Sequence, residues 1–354
     1  MVYNSHIDVG TTTSWPLKVG LMTLPRSLDE TRAIARLAEE SGWDWLGIAD
    51  SPVVFQESYI HQAAALSVTS RIAVGPLVSH VVVRHPLVVA NLLATLQELG
   101  AGRTIGTLAT GNSAARGLGL APSSPEQLGE AIAAIRSYWA GNGGRFGDSH
   151  IPATGIPRPS CPLFVAADGP RAAELAGQVA DGLLYGGTLD DAVLDRRIAI
   201  GKQRATQEFW AAPGISLATT REEALADMGE MLVAQANRAL RGADLDERGI
   251  PVPLQSEIRA LWRAYDYAHH ADATRSGNAS LLSDDLADYL LDHLLLWGDD
   301  ATWAARLEDL AARGCDGVLF ILGQSDQLAT VEELGRRLAR LGVLRTTAEI
   351  GSGG

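Results

Sequence analysis

The chain has 354 residues, 46% of them hydrophobic, and a formal net charge of −13 at pH 7. That length and apolar content suffice for one large domain with a full core, while interspersed charges on an acidic chain leave no basic face for nucleic acid or an anionic membrane. The two cysteines, Cys161 and Cys315, lie far apart, no Cys/His spacing of the metal-binding type occurs, and no apolar run is long enough to cross a bilayer; the reading is a cytoplasmic protein with reduced thiols and no metal site.

In chain order, residues 1–16 are polar, rich in Ser and Thr, and read as a flexible leader without the charge and apolar pattern of a signal peptide. Residues 17–24 (LKVGLMTL) read as a first strand, and Ser27 and Glu30 have the spacing of a capping box before a helix that Gly42 ends. Residues 43–49 form the second strand, closed by Asp50-Ser51-Pro52, and 59–69 are helical. The third strand covers 71–78 and continues loosely to 83; Pro86 then opens a helix that is apolar nearly all round. The fourth strand is 103–109, with Thr110-Gly111-Asn112-Ser113 as its exit loop; a helix follows over 125–139, and a Gly- and Pro-rich excursion over 141–159.

The fifth strand, 163–167, is broken by Asp168-Gly169, and Pro170 sits at a first helical position. Ala172, Leu175, Ala176 and Val179 recur at helical spacing up to Gly182. Residues 183–185 are a sixth strand, followed by Gly186-Gly187-Thr188. Residues 190–210 read as one long helix, 214–219 as the seventh strand, 221–240 as a helix, 315–322 as the eighth strand and 331–341 as the closing helix, with a flexible tail over 346–354. Residues 242–300 hold two helical patterns and no strand, and read as an insert that covers the barrel mouth or forms a dimer contact.

Eight apolar strands alternating with helices predict an α/β fold, a (β/α)8 TIM barrel over 17–345 with the helical insert before its last strand. An open doubly wound sheet is the alternative; the strand count and the lack of an early GxGxxG favour the barrel. In a barrel, the chemistry collects where strands end at the C-terminal face. Asp50 and His80 stand there as titratable candidates. Backbone N–H groups near Gly169, the chain opened by Gly186 and Gly187, the Thr188 hydroxyl and the Arg171 guanidinium suit an oxyanion. In the insert, Tyr265, His269 and Trp297, among other aromatic and titratable residues, read as a substrate wall. A metal is a poor alternative there, because adjacent histidines point in different directions on a helix.

The run Ala166-Ala167-Asp168-Gly169-Pro170-Arg171, then Glu174-Leu175-Ala176-Gly177 and Ala180-Asp181-Gly182, resembles the luciferase-like monooxygenase superfamily. It is similar to the branch that uses the deazaflavin coenzyme F420, which includes methylene-tetrahydromethanopterin reductase. Residues 75–86 (GPLVSHVVVRHP) resemble that branch's G-P-x-V-x-N-x-x-x-R-H-P, and Thr110-Gly111-Asn112-Ser113 its G-x-G-D/E. The resemblance covers about residues 17–188 and again 315–322, not the insert. It implies a flavin-like ring at the barrel mouth, resting on a third-strand bulge with a non-prolyl cis peptide at Leu77–Val78. Ser79 and His80 would face the ring edge, with Thr110 and Gly111 beside it. The phosphate of the cofactor tail would lie against Ala167, Asp168, Gly169, Arg171, Gly186, Gly187 and Thr188.

The same resemblance makes Asp50, His80 and Asn112 the catalytic candidates and Ser51 a weak substrate contact. Three positions depart from the family pattern: Ser51 stands where His is common, His80 replaces Asn, and Asn112 replaces an acid. An amide cannot donate a proton as an acid does, so either His80 or a residue of the insert takes that role, or the reaction needs no strong acid there. Arg84 and His85 read as capping the next helix and shaping its loop. The implied activity is hydride transfer between coenzyme F420 and a small-molecule substrate, in a homodimer. The alternatives are a monooxygenase using FMN reduced by a separate flavin reductase, and a catalytically silent flavin-binding barrel.

Overall fold

The structure is a computed structural model and describes residues 15–265, 277–323 and 326–344. The leader up to residue 14 and the tail after residue 344 lie outside the described residues. Parallel strands follow one another around a ring: Lys18–Thr23, Trp45–Ile48, the third in two pieces (Ala73–Pro76 and Ser79–His80), Gly106–Ala109, Leu163–Ala166, Gly182–Tyr185, Glu208–Ala211 and Gly317–Ile321. The first strand pairs with both the second and the eighth. The ring closes where Ser79 pairs with Leu108 and Val74 bridges to Thr104. This is the TIM barrel that the alternation of strands and helices predicted, not an open sheet.

Strand alternation sorts the apolar residues into two layers. One set, including Val19, Leu21, Leu46, Val74, Leu108, Val165, Leu183 and Val318, packs outward under the helices. The other fills the barrel: Trp45, Ala73, Leu77, Phe164, Leu184, Trp210, Ala212 and Leu319. Trp45 meets Trp210 edge-on at 5.2 Å and Phe164 at 5.6 Å between ring centroids. Glycines in register make room for these rings, since a Cβ on Gly317 would lie 2.5 Å from the Trp210 indole and one on Gly182 2.6 Å from the Phe164 ring. A third cluster joins the helices Arg221–Leu240, Val252–Ala264 and Asp284–Leu294 through Met228, Leu232, Ile258, Leu290 and Leu294.

The structure corrects the seventh strand. The helix begins at Asp191 but stops at Gly201, and the strand is Glu208–Ala211, not 214–219. Gln207, 2% exposed, ends the helical path: its amide donates to the carbonyls of Ala176, Gly177 and Ala180, and its Oε1 accepts from the N–H groups of Gln203 and Arg204. Four residues are too few to show a period, and their aromatic content was the better signal. Of the predicted stretch only Gly214–Ile215 is extended, pairing with Leu295–Leu296, a two-residue strand inside the insert. The excursion over 141–159 contains an antiparallel hairpin, Gly144–Phe146 with Ser149–Ile151. At the first helix the Ser27 hydroxyl accepts from Glu30 N at 3.1 Å, while the Glu30 carboxylate accepts from Gln327.

Asp44, just before the second strand, is 5% exposed. One oxygen accepts from Val19 N at 2.7 Å; the other has no partner among the described residues. Burial pushes the Asp44 carboxyl up to about 6, with the Val19 N–H opposing. A carboxyl raised in the folded state binds protons that the unfolded chain releases, so this group adds stability as pH falls from about 6 toward 4 and loses it on the way back up. The expected difference is about 3 kcal/mol in favour of the acidic end. Other carboxylates act in the opposite sense, so the readout is the difference between proteins. Urea midpoints of wild type and Asp44→Asn should converge as pH is lowered through this window, the variant being the more stable at pH 7. Midpoints that stay parallel from pH 7 to pH 4.5 would contradict it.

Candidate functional site

The C-terminal ends of the strands carry an apolar interior surrounded by polar side chains. The Leu77–Val78 peptide is cis, at the expected position between the two pieces of the third strand. Leu77 turns into the barrel where Gly47 leaves space, since a Cβ there would lie 2.8 Å from Leu77 Cδ1. Val78, Met22, Ala166 and Ile321 pack on the same interior cluster. The mouth therefore rests on an apolar floor, the surface a planar aromatic ligand needs.

Beside that floor runs a buried polar chain. Tyr59 OH donates to Ser79 Oγ at 2.9 Å, and Ser79 Oγ donates to Asp50 Oδ2 at 2.9 Å. Arg84 bridges Asp50 (2.6 Å) and Glu57 (2.7 Å), with its guanidinium 5.1 Å above the Tyr59 ring. The Asp50 side chain is only 2% exposed, so its charge is held by Arg84 and Ser79 and not by water. Burial pushes the Tyr59 hydroxyl above its ordinary value, with the Ser79 contact opposing, which keeps it a neutral donor. Two sequence expectations change here. Ser79 is committed to this network and does not face outward. Arg84 does not cap the next helix; His85 does, its Nδ1 accepting from Leu87 N at 3.2 Å.

His80, alternating with Ser79 along the strand, is 4% exposed. Its Nδ1 is buried without a partner among the described residues. Burial pushes the imidazole below its ordinary value; Asp50 opposes this and Arg84 adds to it. His80 is therefore neutral near pH 7, offering one N–H and one lone pair rather than an imidazolium. Gly111 takes a left-handed conformation (φ 90°) against it, and a Cβ there would lie 3.0 Å from His80 Cβ, so glycine is required twice over. Thr110 is half-buried and its carbonyl accepts from Ser123 N at 2.9 Å. Asn112 opens the short helix Asn112–Gly117, but its side chain lies outside the description.

At the ends of the fifth and sixth strands the expected phosphate donors are already engaged. Asp168 Oδ1 accepts from Gly186 N at 2.9 Å, and Asp168 Oδ2 from Arg238 at 2.8 Å. Arg238 also donates to Gly186 O at 2.7 Å. Arg197 and Arg248 both donate to the Asp168 carbonyl, and Arg197 pairs with Glu247. Thr188 is fully buried, with its hydroxyl donating to Arg248 O at 3.2 Å. Gly187 packs against the Tyr185 ring, Ala167 is buried in the core, and Arg171 is exposed in the first turn of the helix that Gly169 caps. Arg197, Arg238 and Arg248 were not legible as site residues, because they come from the helix Asp191–Gly201, the helix Arg221–Leu240 and the chain after it, with no local motif.

Of the expected substrate wall, Tyr265 and Trp297 both belong to the helical layer. Tyr265 is buried in the core of the helical layer. Trp297 packs on that core, and its Nε1 donates to Asp292 at 3.3 Å. Ser51 uses its carbonyl to accept from Val54 N and Phe55 N. His269 lies outside the described residues. No cluster of three or more metal-ligating side chains occurs among the described residues, and no described helix is long and apolar enough to cross a membrane.

A parallel eight-stranded barrel with polar groups ringing an apolar mouth defines a TIM-barrel protein, a fold whose ligand sites collect at the C-terminal ends of the strands. Its sequence matches the profile of the luciferase-like monooxygenase family over residues 7–317, and the chain belongs to that family. It is 31% identical to an F420-dependent glucose-6-phosphate dehydrogenase of Nakamurella multipartita, over 56% of this chain and 66% of that protein. It is also 31% identical to an F420-dependent hydroxymycolic acid dehydrogenase of Mycobacterium tuberculosis, over 51% of this chain and 55% of that protein. The matches thus span about half to two thirds of these relatives. Among solved structures, the coenzyme F420-dependent tetrahydromethanopterin reductase from Methanopyrus kandleri superposes with a TM-score of 0.73 at 18% identity, covering 92% of this chain and 99% of that one. That likeness shows the shared fold.

Proposed function

We propose that this protein is an oxidoreductase that transfers a hydride between coenzyme F420 and a small organic substrate. The observation that carries the reading is the third strand: its interruption at Leu77–Val78 sets two apolar side chains on the barrel floor beside His80, whose Nδ1 is buried and unpartnered. An orphaned buried nitrogen needs a partner that a bound ligand can supply, and the apolar floor fits a planar tricyclic ring. The F420-dependent relatives support the cofactor assignment.

When bound, the deazaflavin supplies the two-electron chemistry. The chain's residues orient it, exclude water and manage a proton. Leu77 and Val78 would supply the apolar surface that holds it. His80, neutral at pH 7, would hydrogen-bond to the bound cofactor or to the substrate and would accept or return a proton there. Asp50, held by Arg84 and Ser79, fixes the negative charge behind His80 and stays out of the reaction. The test is anaerobic turnover of reduced or oxidised F420 against a panel of alcohols, aldehydes and activated alkenes. We expect turnover that His80→Ala lowers by about a hundredfold with the fold intact. Turnover unchanged in that variant would remove His80 from the site, and oxygen-dependent turnover with reduced FMN alone would move the protein to the monooxygenase class.

A further inference from the structure

The phosphate cradle read from the sequence is occupied by one of the chain's own side chains. Asp168 follows the fifth strand and Gly186 follows the sixth. The Asp168 carboxylate takes the Gly186 N–H with one oxygen and an Arg238 guanidinium arm with the other, at 2.9 and 2.8 Å. A backbone N–H and a guanidinium at a glycine-opened strand end are the donors an oxyanion uses. Here they are satisfied internally. The remaining donors nearby are also committed: Arg248 and Arg197 to the Asp168 carbonyl, and the Thr188 hydroxyl to Arg248 O. A Cβ on Gly186 would lie 2.7 Å from Arg238, so the guanidinium sits directly on that glycine.

We propose that Asp168 is a built-in competitor for the phosphate of the cofactor, an intramolecular anion that must leave the Gly186 N–H and Arg238 before a phosphoryl oxygen can take them. It rests on the reading of the mouth as a cofactor site and adds a gate to it. Two features suit a displaceable group. The Asp168 side chain is 18% exposed and its partner Arg238 36%, so the carboxylate has water to move into. Its main chain, by contrast, is clamped by two nearly fully buried arginines, 1% and 5% exposed, so the side chain can swing while the strand end stays in place. A carboxylate in the cradle also repels any anion that enters without displacing it, which makes the site selective for ligands whose remaining contacts compensate for the exchange.

The opposite role is that Asp168 orients Arg238 toward the phosphate, in which case removing it weakens binding. Binding experiments separate the two. Inorganic phosphate is titrated by calorimetry into wild type, Asp168→Asn and Asp168→Ser, and F420 by fluorescence into the same three, with thermal midpoints recorded as a check on the fold. We expect phosphate binding to appear or tighten at least about tenfold in the Ser variant, and F420 to tighten by a similar factor. The isosteric Asn variant should show the same trend, smaller because its amide oxygen still accepts from Gly186. Unchanged or weaker phosphate binding in folded variants overturns the proposal. If wild type binds F420 and the variants bind it no better, the gate fails and the cofactor site stands. If phosphate binding tightens while F420 binds to none of the three, the gate stands and the cofactor reading fails.

Discussion

Replacing Arg84 with alanine is expected to destabilise the protein by about 3–5 kcal/mol, the range for removing one partner of a buried ion pair. The Arg84 side chain is 13% exposed and that of Asp50 2%, so the carboxylate left behind has neither water nor a second cation, only the Ser79 hydroxyl. The same guanidinium holds Glu57 and covers the Tyr59 ring, so alanine also removes packing at the edge of the mouth. Lysine should recover part of the loss, because a point charge reaches one carboxylate where the planar fork reaches two. Combining Arg84→Ala with Asp50→Asn should cost less than the sum of the two single changes, since the stranded charge is gone. Urea unfolding of wild type, the three single variants and the double variant measures this. A loss under about 1 kcal/mol for Arg84→Ala would mean the pair behaves as an exposed one.

A second large effect is expected at Gly75, in the first piece of the third strand. A Cβ there would lie 1.8 Å from the carbonyl oxygen of Ile105 and 2.9 Å from its carbon. Both obstacles are backbone, so no rotamer change relieves them. The contact falls where the barrel closes: Val74 N donates to Arg103 O at 2.9 Å and Ile105 N to Val74 O at 3.2 Å. Gly75→Ala must push the third and fourth strands apart. The expected result is a loss beyond about 4 kcal/mol, or failure to accumulate as folded protein. Gly144→Ala is the control, because a Cβ there meets nothing closer than the Ser137 side chain at 3.8 Å. Circular dichroism and thermal melts of the two variants decide it, and a folded Gly75→Ala variant with a wild-type midpoint would contradict the closure seen here.

The fold was largely legible because its strands are apolar on both sides and its helices carry clear punctuation. Pro86, Pro125 and Pro170 each open a helix as read from the sequence. The seventh strand was missed because Glu208–Ala211 follows a helix after a short turn that Gln207 and Arg204 tie down through long-range bonds. At the site, local motifs picked out Asp50, His80, Arg84, Asp168 and Gly186, but neither the pairing of Arg84 with Asp50 nor Arg238. Arg84 lies 34 residues from Asp50, and Arg238 lies 70 from Asp168. A single sequence records which residues are near in the chain, and an ion pair across a barrel rim leaves no spacing to read. The side chains expected to touch a ligand were instead often satisfied by such distant partners, as Ser79 and Thr188 are.

The central claim is that the mouth of this barrel holds the deazaflavin ring on Leu77 and Val78. Equilibrium titration of the purified protein with F420 and with FMN, followed by the cofactor's own fluorescence, tests it most directly. The account predicts saturable one-site binding of F420 at least about tenfold tighter than FMN, weakened when Val78 is replaced by the charged Glu. Tighter binding of FMN, or F420 binding that Val78→Glu leaves unchanged, would contradict it.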